Sequence, residues 1–145
     1  MHDHDASAAW GHRLLQFGVL LFLVGLLTGF AIPALANPRM ALASHLEGIM
    51  NGLFLIALGL IWPRLSLGRG ALGAIYGFAL YGTFVNWAAT LLAAIWGAGA
   101  PMMPIAAGAR TGSAMQESVL MIMLITLSVA MVAVCVLVLV GLRRR

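Results

Sequence analysis

Four apolar stretches, each long enough to cross a bilayer as an α-helix, dominate this sequence. They cover residues 14–32, 42–62, 71–96 and 117–142. A helix rises about 1.5 Å per residue, so roughly 20 apolar residues span the roughly 30 Å of hydrocarbon. Short connections between consecutive stretches favour antiparallel neighbours. The sequence therefore predicts an all-α, polytopic membrane protein with a single domain, a four-transmembrane-helix up-down bundle.

Charged residues are too scarce to coat a water-soluble domain. They make up 8% of the 145 positions, against 63% for hydrophobic residues, whereas soluble domains carry about 25% charged residues. The net charge of +4 comes from arginines at the ends of the apolar stretches, without any lysine. Because this leaves no basic tract, we expect no nucleic-acid binding. The single cysteine, Cys135, excludes an internal disulfide, and we expect it to be a small hydrophobic residue.

The arginines also predict the orientation in the membrane. Arg39 and Arg110 lie at one predicted end, and the other six arginines lie at the opposite end. Those six are Arg13, Arg64, Arg69 and residues 143–145. Because arginine-rich ends stay in the cytoplasm, both termini are predicted to be cytoplasmic, with residues 1–13 as a tail. The tail contains His2-Asp3-His4-Asp5, which has metal-binding residue types but is predicted to be a solvated terminus.

The first apolar stretch has some features of a secretory signal. Arg13 precedes it, and Ala34-Leu35-Ala36 loosely matches a cleavage site. Its apolar core is longer than that of a typical signal peptide, and the rest of the chain is predicted to be membrane-embedded. We therefore expect a retained first span rather than cleavage.

The second apolar stretch has the densest set of polar and small residues. At about 100° per residue, His45, Gly48 and Gly52 fall along one broad face, and Glu47 and Asn51 form a polar face beside it. The glycines could pack against another helix or admit a flat ring, and both interpretations stay open. Three polar side chains in one apolar helix are costly, which favours a functional site at His45, Glu47 and Asn51.

The third stretch contains Asn86 close to its midpoint, the most costly depth for a primary amide. Asn86 could form an interhelical hydrogen bond. It could instead line a cavity for an aromatic molecule, in which rings pack the molecule and the amide orients a polar substituent. The candidate rings for such a cavity are Trp87, Tyr76 and Phe84.

Glu117 begins the fourth stretch, in the same predicted half of the bilayer as His45 and Glu47. Its carboxylate could be a first-turn residue that the helix dipole favours, or it could take part in the site. Arg39 and Arg110 border that half. The sequence has no local nucleophile–base motif, phosphate-binding loop, dinucleotide-binding motif or zinc-protease motif.

Two segments resemble the hydroxylaminobenzene mutases, small bacterial membrane enzymes of nitroaromatic degradation. The segments are residues 43–53, Ala-Ser-His-Leu-Glu-Gly-Ile-Met-Asn-Gly-Leu, and residues 81–87, Tyr-Gly-Thr-Phe-Val-Asn-Trp. A more distant similarity is to the styrene oxide isomerases. These share an N-terminal Gly-His, here Gly11-His12, and a pattern His-x5-Asn-Gly, here His45 to Asn51-Gly52. The resemblance covers nearly the whole chain and implies the inner membrane of a bacterium.

The styrene oxide isomerase resemblance implies a homotrimer with haem b held between subunits. His45 would be the axial ligand, and the ferric iron would act as a Lewis acid. Gly48 and Gly52 would make room for the porphyrin, and Arg39 and Arg110 would pair with its propionates. Composition and spacing alone do not indicate these roles of His45, of the iron, of the two glycines or of the two arginines.

The implied reaction converts a lipid-soluble aryl hydroxylamine to an ortho-aminophenol by intramolecular transfer of the hydroxyl group from nitrogen to the ring. Iron would polarise the N–O bond, and a water-excluding site would protect the cation that develops. Asn51 and Asn86 would orient the N–O group. The other implied roles are ring packing by Trp87 and Phe84 and proton transfer by Glu47 or Glu117. Phe84 aligns with a tyrosine of the styrene oxide isomerases, and Tyr81 or Tyr76 would have to replace that tyrosine.

Three alternatives remain beside this hypothesis. An epoxide isomerase of the styrene oxide type is the enzymatic alternative. A non-catalytic anchor subunit for haem or quinone predicts two axial histidines, and only His12, near the opposite edge of the membrane, could partner His45. A small transporter or packing subunit predicts neither turnover nor pigment.

Overall fold

The computed structural model describes the backbone of residues 2–143 and the side chains of residues 9–143. The helices are α1 (His2–Ala31), α2 (Pro38–Ile61), α3 (Arg69–Trp96), α4 (Pro104–Ala107) and α5 (Ala114–Arg143). The described chain contains no strand, and its four long helices are long and apolar enough to cross a membrane. The prediction of an all-α, four-span membrane protein is confirmed.

The first helix begins earlier than the hydropathy of the sequence suggested. α1 starts at His2, so the residues predicted as a tail extend the helix at its polar end. This segment is rich in alanine and has no proline, and alanine has the highest helix propensity. The side chains of His2-Asp3-His4-Asp5 lie outside the described residues, as do residues 144–145.

Prolines and one glycine mark the ends of the other spans. Pro33 and Pro63 lie in short 3-10 turns that directly follow α1 and α2, because proline lacks the amide that would continue the helix. α3 ends at Trp96 and is followed by Gly97, whose φ of 63° is left-handed. Glycine adopts this conformation without a Cβ clash, which suits it to a helix terminus.

The helices pack in an up-down order with their largest contacts between α1 and α2, α2 and α3, and α3 and α5. Leu14, Leu21, Leu55, Ile75 and Val134 are fully buried and belong to one core cluster. The outer surfaces of α1 and α5 remain apolar and exposed, as expected for helices that face lipid. Cys135 is exposed on this surface of α5.

Glycines bring α1 and α2 into backbone contact along most of their length. The facing pairs are Gly11 with Gly59, Gly18 with Gly52, and Gly25 with Gly48. A Cβ on Gly25 would lie 2.7 Å from the carbonyl carbon of Gly48, closer than side chains come. The face of Gly48 and Gly52 is therefore filled by α1. Of the two interpretations of these glycines, helix packing is the one the structure shows, and no room for a porphyrin remains between them and α1.

Candidate functional site

Glu47 is the centre of a polar cluster between α2 and α3. Its Oε2 accepts hydrogen bonds from the side-chain amides of Asn51, at 3.0 Å, and Asn86, at 2.6 Å. Asn51 is buried, and the other two side chains are half-buried. The i, i+4 spacing on α2 aligns Glu47 with Asn51, and the packing of α3 adds Asn86. Glu47, Asn51 and Asn86, which are all candidate site residues from the sequence, are thus joined by hydrogen bonds.

The cluster presents oxygen acceptors that are not used within the chain. Both amide nitrogens donate to Glu47 Oε2, and no described residue donates to Glu47 Oε1 or to the side-chain oxygens of Asn51 and Asn86. Among the described side chains, no buried polar atom lacks a partner. These three oxygens are therefore not fully buried, and they are free to accept hydrogen bonds from a ligand.

His45 lies on the α1 side of α2, and its ring has a defined tautomer. Nδ1 is 2.8 Å from the carbonyl oxygen of Gly25. A carbonyl only accepts, so Nδ1 is the donor and carries the proton in this contact. Nε2 of the neutral ring then keeps its lone pair, which is the arrangement of a histidine metal ligand. Gly29 leaves space for the ring, since a Cβ there would lie 2.9 Å from Nδ1.

Trp87 connects the three helices at the level of the site. Its indole nitrogen donates to the Thr28 hydroxyl at 3.1 Å, and its carbonyl accepts from the Ser44 hydroxyl at 3.1 Å. The indole ring also lies against Gly48, where a Cβ would be 3.1 Å from Cδ1. Trp87 is therefore held in the packing of α1, α2 and α3.

His45 and Glu47 occupy opposite flanks of α2. Two residues correspond to a rotation of about 200° around a helix. Accordingly, His45 contacts Gly25 and Gly29 of α1, whereas Glu47 contacts Asn86 of α3. Within one chain, the imidazole and the polar cluster are not brought together.

The other candidate rings contact residues outside the Glu47 cluster. Phe84 packs edge-to-face on Phe17, with ring centroids 6.2 Å apart. Tyr81 is exposed, and its hydroxyl lies 2.7 Å from the Thr126 hydroxyl of α5.

Tyr76 stacks on Trp10, with ring centroids 5.7 Å apart, at the arginine-rich end of the bundle. That end is opposite to the start of α2, where Glu47 lies. In this structure neither Tyr76 nor Tyr81 contacts the cluster through its hydroxyl group or its ring contacts.

Glu117 organises the loop between α3 and α5 and does not contact the Glu47 cluster. Its carboxylate accepts from the backbone amides of Gly99, at 2.9 and 3.1 Å, and Gly112, at 2.8 Å. Both of its oxygens are used in this way, so in this structure Glu117 holds the loop between α3 and α5. Arg39 and Arg110 are exposed at this end of the bundle.

Sequence analysis missed several residues that shape the site. Ser44 and Asn37 are fully buried, and Thr28 is almost so. Asn37 caps α2 and donates to the carbonyl of Ala106, which ties α2 to the loop before α5. The seven-residue spacing of the α1 glycines is a signal in the sequence for the close α1–α2 contact.

The fold and the site define a class of protein, namely a multi-pass membrane protein with a small polar site between its spans. A family model described as styrene oxide isomerase matches residues 11–143. The chain belongs to this family.

Two curated relatives are similar to the chain over most of its length. Hydroxylaminobenzene mutase HabB of Ectopseudomonas oleovorans is 59% identical over 143 residues, which cover 99% of this chain and 87% of HabB. Hydroxylaminobenzene mutase HabA of the same organism is 44% identical over 131 residues, which cover 90% of this chain and 97% of HabA. No solved structure matches the chain. The resemblance to hydroxylaminobenzene mutases is thereby confirmed.

Proposed function

We propose that this protein is a membrane-embedded isomerase that converts aryl hydroxylamines of the hydroxylaminobenzene type to 2-aminophenols. The hydroxyl group moves from nitrogen to the ring within one molecule. The observation that carries this proposal is the identity of 59% to HabB over nearly the whole chain. The polar cluster of Glu47, Asn51 and Asn86, set between apolar helices, supports it as a place for the polar end of a lipid-soluble aromatic substrate.

The chain's own residues bind and orient the substrate. The oxygens of the Glu47 cluster meet the hydroxylamine group, and the surrounding apolar helices exclude water that would otherwise capture a cationic species. Trp87 and Phe84, on the same stretch of α3 as Asn86, are the aromatic side chains closest in sequence to that amide. Ring packing by these two residues is part of the proposal.

A haem b cofactor is also part of the proposal, and the donor set of His45 fits it. The Gly25 carbonyl holds the proton on Nδ1 and leaves Nε2 as the group that would bind iron. When bound, ferric iron supplies a Lewis acid that polarises the N–O bond. No group of three or more histidine, cysteine or carboxylate residues in the described chain forms another metal site. Arg39 and Arg110 are the proposed partners of the propionates.

A homotrimer with a site shared between chains completes the proposal. His45 and Glu47 lie on opposite flanks of α2, with α1 against one flank and α3 against the other. We propose that a substrate meets both groups by lying between two copies of the chain. We propose the bacterial inner membrane as the location, with cytoplasmic termini, because Arg13, Arg64, Arg69 and Arg143 gather at one end.

The test is turnover of hydroxylaminobenzene, also called phenylhydroxylamine, by the purified protein in detergent. We expect 2-aminophenol as the product, with no oxygen-18 incorporated from labelled water, because the transfer is intramolecular. An absorption spectrum of the same sample tests haem through its Soret band. Absence of 2-aminophenol would contradict the mutase proposal, and full activity without a Soret band would contradict the cofactor.

An epoxide isomerase acting on styrene oxide is a second candidate, which the family match to styrene oxide isomerase favours. The same sample incubated with styrene oxide would then yield phenylacetaldehyde. The anchor hypothesis loses support because His12 is exposed and lies thirteen residues before Gly25, the α1 residue that contacts His45. That separation is roughly 20 Å along the helix, too far for two axial ligands of one haem.

A further inference from the structure

The two substrate chemistries named in this family differ in hydrogen-bonding polarity. Hydroxylaminobenzene carries an N–H and an O–H group, which can donate. Styrene oxide carries one ether oxygen and can only accept. An acceptor in the site can therefore form a hydrogen bond with hydroxylaminobenzene but not with styrene oxide.

The Glu47 cluster presents acceptors. Asn51 and Asn86 each donate one of the two N–H groups of their side-chain amide to Glu47 Oε2. Glu47 Oε1 and the two amide oxygens receive no hydrogen bond from a described residue, and none of these three oxygens is fully buried. An ether oxygen that approaches Glu47 Oε1 finds no donor there and loses its hydration without compensation, whereas an N–H or O–H group finds an acceptor.

We infer that Glu47 is a specificity-determining residue, whose Oε1 accepts a hydrogen bond from the N–H or O–H group of the substrate and so selects aryl hydroxylamines over aryl epoxides. This inference rests on the proposed mutase function. It concerns which substrate is bound rather than how the N–O bond is broken.

The two amides make Glu47 suitable for this task because they hold its carboxyl group in place. Bonds of 3.0 and 2.6 Å from two different helices fix Oε2, and the planar group then fixes the direction of Oε1. An acceptor held in this way needs no rearrangement when a donor arrives, which favours discrimination.

The substitution Glu47→Gln reverses the polarity of this position. Asn51 and Asn86 still require an acceptor where Oε2 lies, so the amide oxygen of the glutamine takes that place. The glutamine NH2 group then occupies the position of Oε1 and offers a donor. We expect kcat/KM for phenylhydroxylamine to fall about ten- to a hundredfold, because the donor of the substrate then meets an NH2 group and is left without an acceptor. We also expect styrene oxide to compete for the site more strongly than it does in the wild type.

Ser128→Ala is the matched control, because the Ser128 hydroxyl is exposed and bonds only within its own helix. It should leave unchanged both kcat/KM for phenylhydroxylamine and the inhibition constant of styrene oxide. A Glu47→Gln enzyme in which the ratio of these two constants equals that of the wild type would overturn the inference. Absence of mutase activity in the wild type would instead contradict the proposed function, so the two failures are distinguishable.

A second measurement uses only the wild-type protein and does not depend on the folding of a variant. Aniline and toluene have the same shape, but only aniline can donate hydrogen bonds. After correction for partition into detergent, we expect aniline to inhibit phenylhydroxylamine turnover at about tenfold lower concentration or less. Equal inhibition by the two compounds would overturn the inference.

Discussion

At the scale of single residues, the Gly25 carbonyl decides what the His45 ring can do. A neutral imidazole has one donor and one acceptor nitrogen, and a hydrogen bond to a carbonyl selects which is which. The bond from Nδ1 to Gly25 fixes Nε2 as the acceptor and orients the ring on the flank of α2. Gly29, one turn further along α1, matters for the same reason, because only a residue without a side chain leaves the ring in this position.

The substitution Gly29→Ala tests this arrangement. Its Cβ would lie 2.9 Å from Nδ1 and 3.1 Å from Cε1 of His45, so the ring must shift and weaken its bond to Gly25. We expect mutase activity to fall at least about tenfold, because a displacement of a catalytic group by about 1 Å lowers the rate by that factor or more. The thermal unfolding temperature should change little, because a side chain rather than backbone moves.

Gly77→Ala is the control for Gly29→Ala. Gly77 lies in α3, and a Cβ there meets no atom within 4 Å. Alanine in an open helical position should stabilise the protein by about 0.5–1 kcal/mol and leave activity intact. Equal activity of the two variants would show that Gly29 does not position His45.

At the scale of the helices, the glycine contacts between α1 and α2 set the distance between the two spans. Small residues are the usual means of close helix packing in membranes, where the hydrophobic effect does not drive association. Gly18 lies in this contact but away from His45, so it reports on packing alone. A Cβ on Gly18 would lie 2.8 Å from the Gly52 carbonyl oxygen and 2.7 Å from a side-chain carbon of Ile56.

We therefore expect Gly18→Ala to destabilise the protein by about 1–3 kcal/mol, the usual cost of overpacking. Backbone cannot move aside as a side chain can, so the two helices must separate. Thermal unfolding in detergent measures the effect, and Gly70→Ala, at a position with no atom within 4 Å of a Cβ, is the control. An unfolding temperature equal to that of the control would contradict this account.

Glu117 stabilises the loop between α3 and α5 by accepting hydrogen bonds from its backbone amides. Glu117→Ala leaves the amides of Gly99 and Gly112 without their acceptor. We expect a loss of about 1–3 kcal/mol of stability and faster proteolysis within residues 97–113. Ser118→Ala, which removes only a bond to Ala114 in the same helix, should leave the cleavage rate unchanged. Equal rates for both variants would contradict this role.

The helices could be predicted from the sequence better than their ends. Hydropathy located all four spans, but α2 begins at Pro38 rather than near residue 42, and α1 begins at His2 rather than near residue 14. Apolar length reports where the hydrocarbon lies. A helix continues beyond it until a cap such as Asn37 or a proline intervenes.

The site could be predicted as a set of residues but not as an arrangement. The pairing of Glu47 with Asn51 follows from helix geometry, because the two are one turn apart. The bond from Asn86 to Glu47 depends on which face of α3 meets α2, and the bond from His45 to Gly25 depends on the register of α1. Spans that are apolar on all sides carry little information on either.

At the scale of the whole molecule, one chain holds the two halves of the proposed site on opposite flanks of α2. Most of the outer surface is apolar, with Phe30 83% exposed and Val129 66% exposed, so lipid or further copies of the chain must cover it. The apolar surface alone does not say which. The separation of His45 from Glu47 does favour further copies, because it leaves each chain with an incomplete site unless a neighbour supplies the missing group.

Co-expression of two inactive variants tests whether the site is shared between chains. His45→Ala removes one half and Glu47→Ala removes the other, and each variant alone should be inactive. In a ring of randomly mixed subunits, a site is intact when one chain supplies His45 and its neighbour supplies Glu47. Each condition holds for half of the chains, so about a quarter of the sites in the whole mixture should work, whatever the number of subunits in the ring. In the mixed trimers alone, about one site in three should work. Differently tagged variants purified through both tags would isolate the mixed oligomers, and turnover of phenylhydroxylamine would measure the recovery. A site contained within one chain gives no recovery in any mixture, because every chain then lacks one of the two groups. Activity in the doubly tagged fraction, with none in either variant alone, is therefore the result expected if neighbouring chains complete each other's sites.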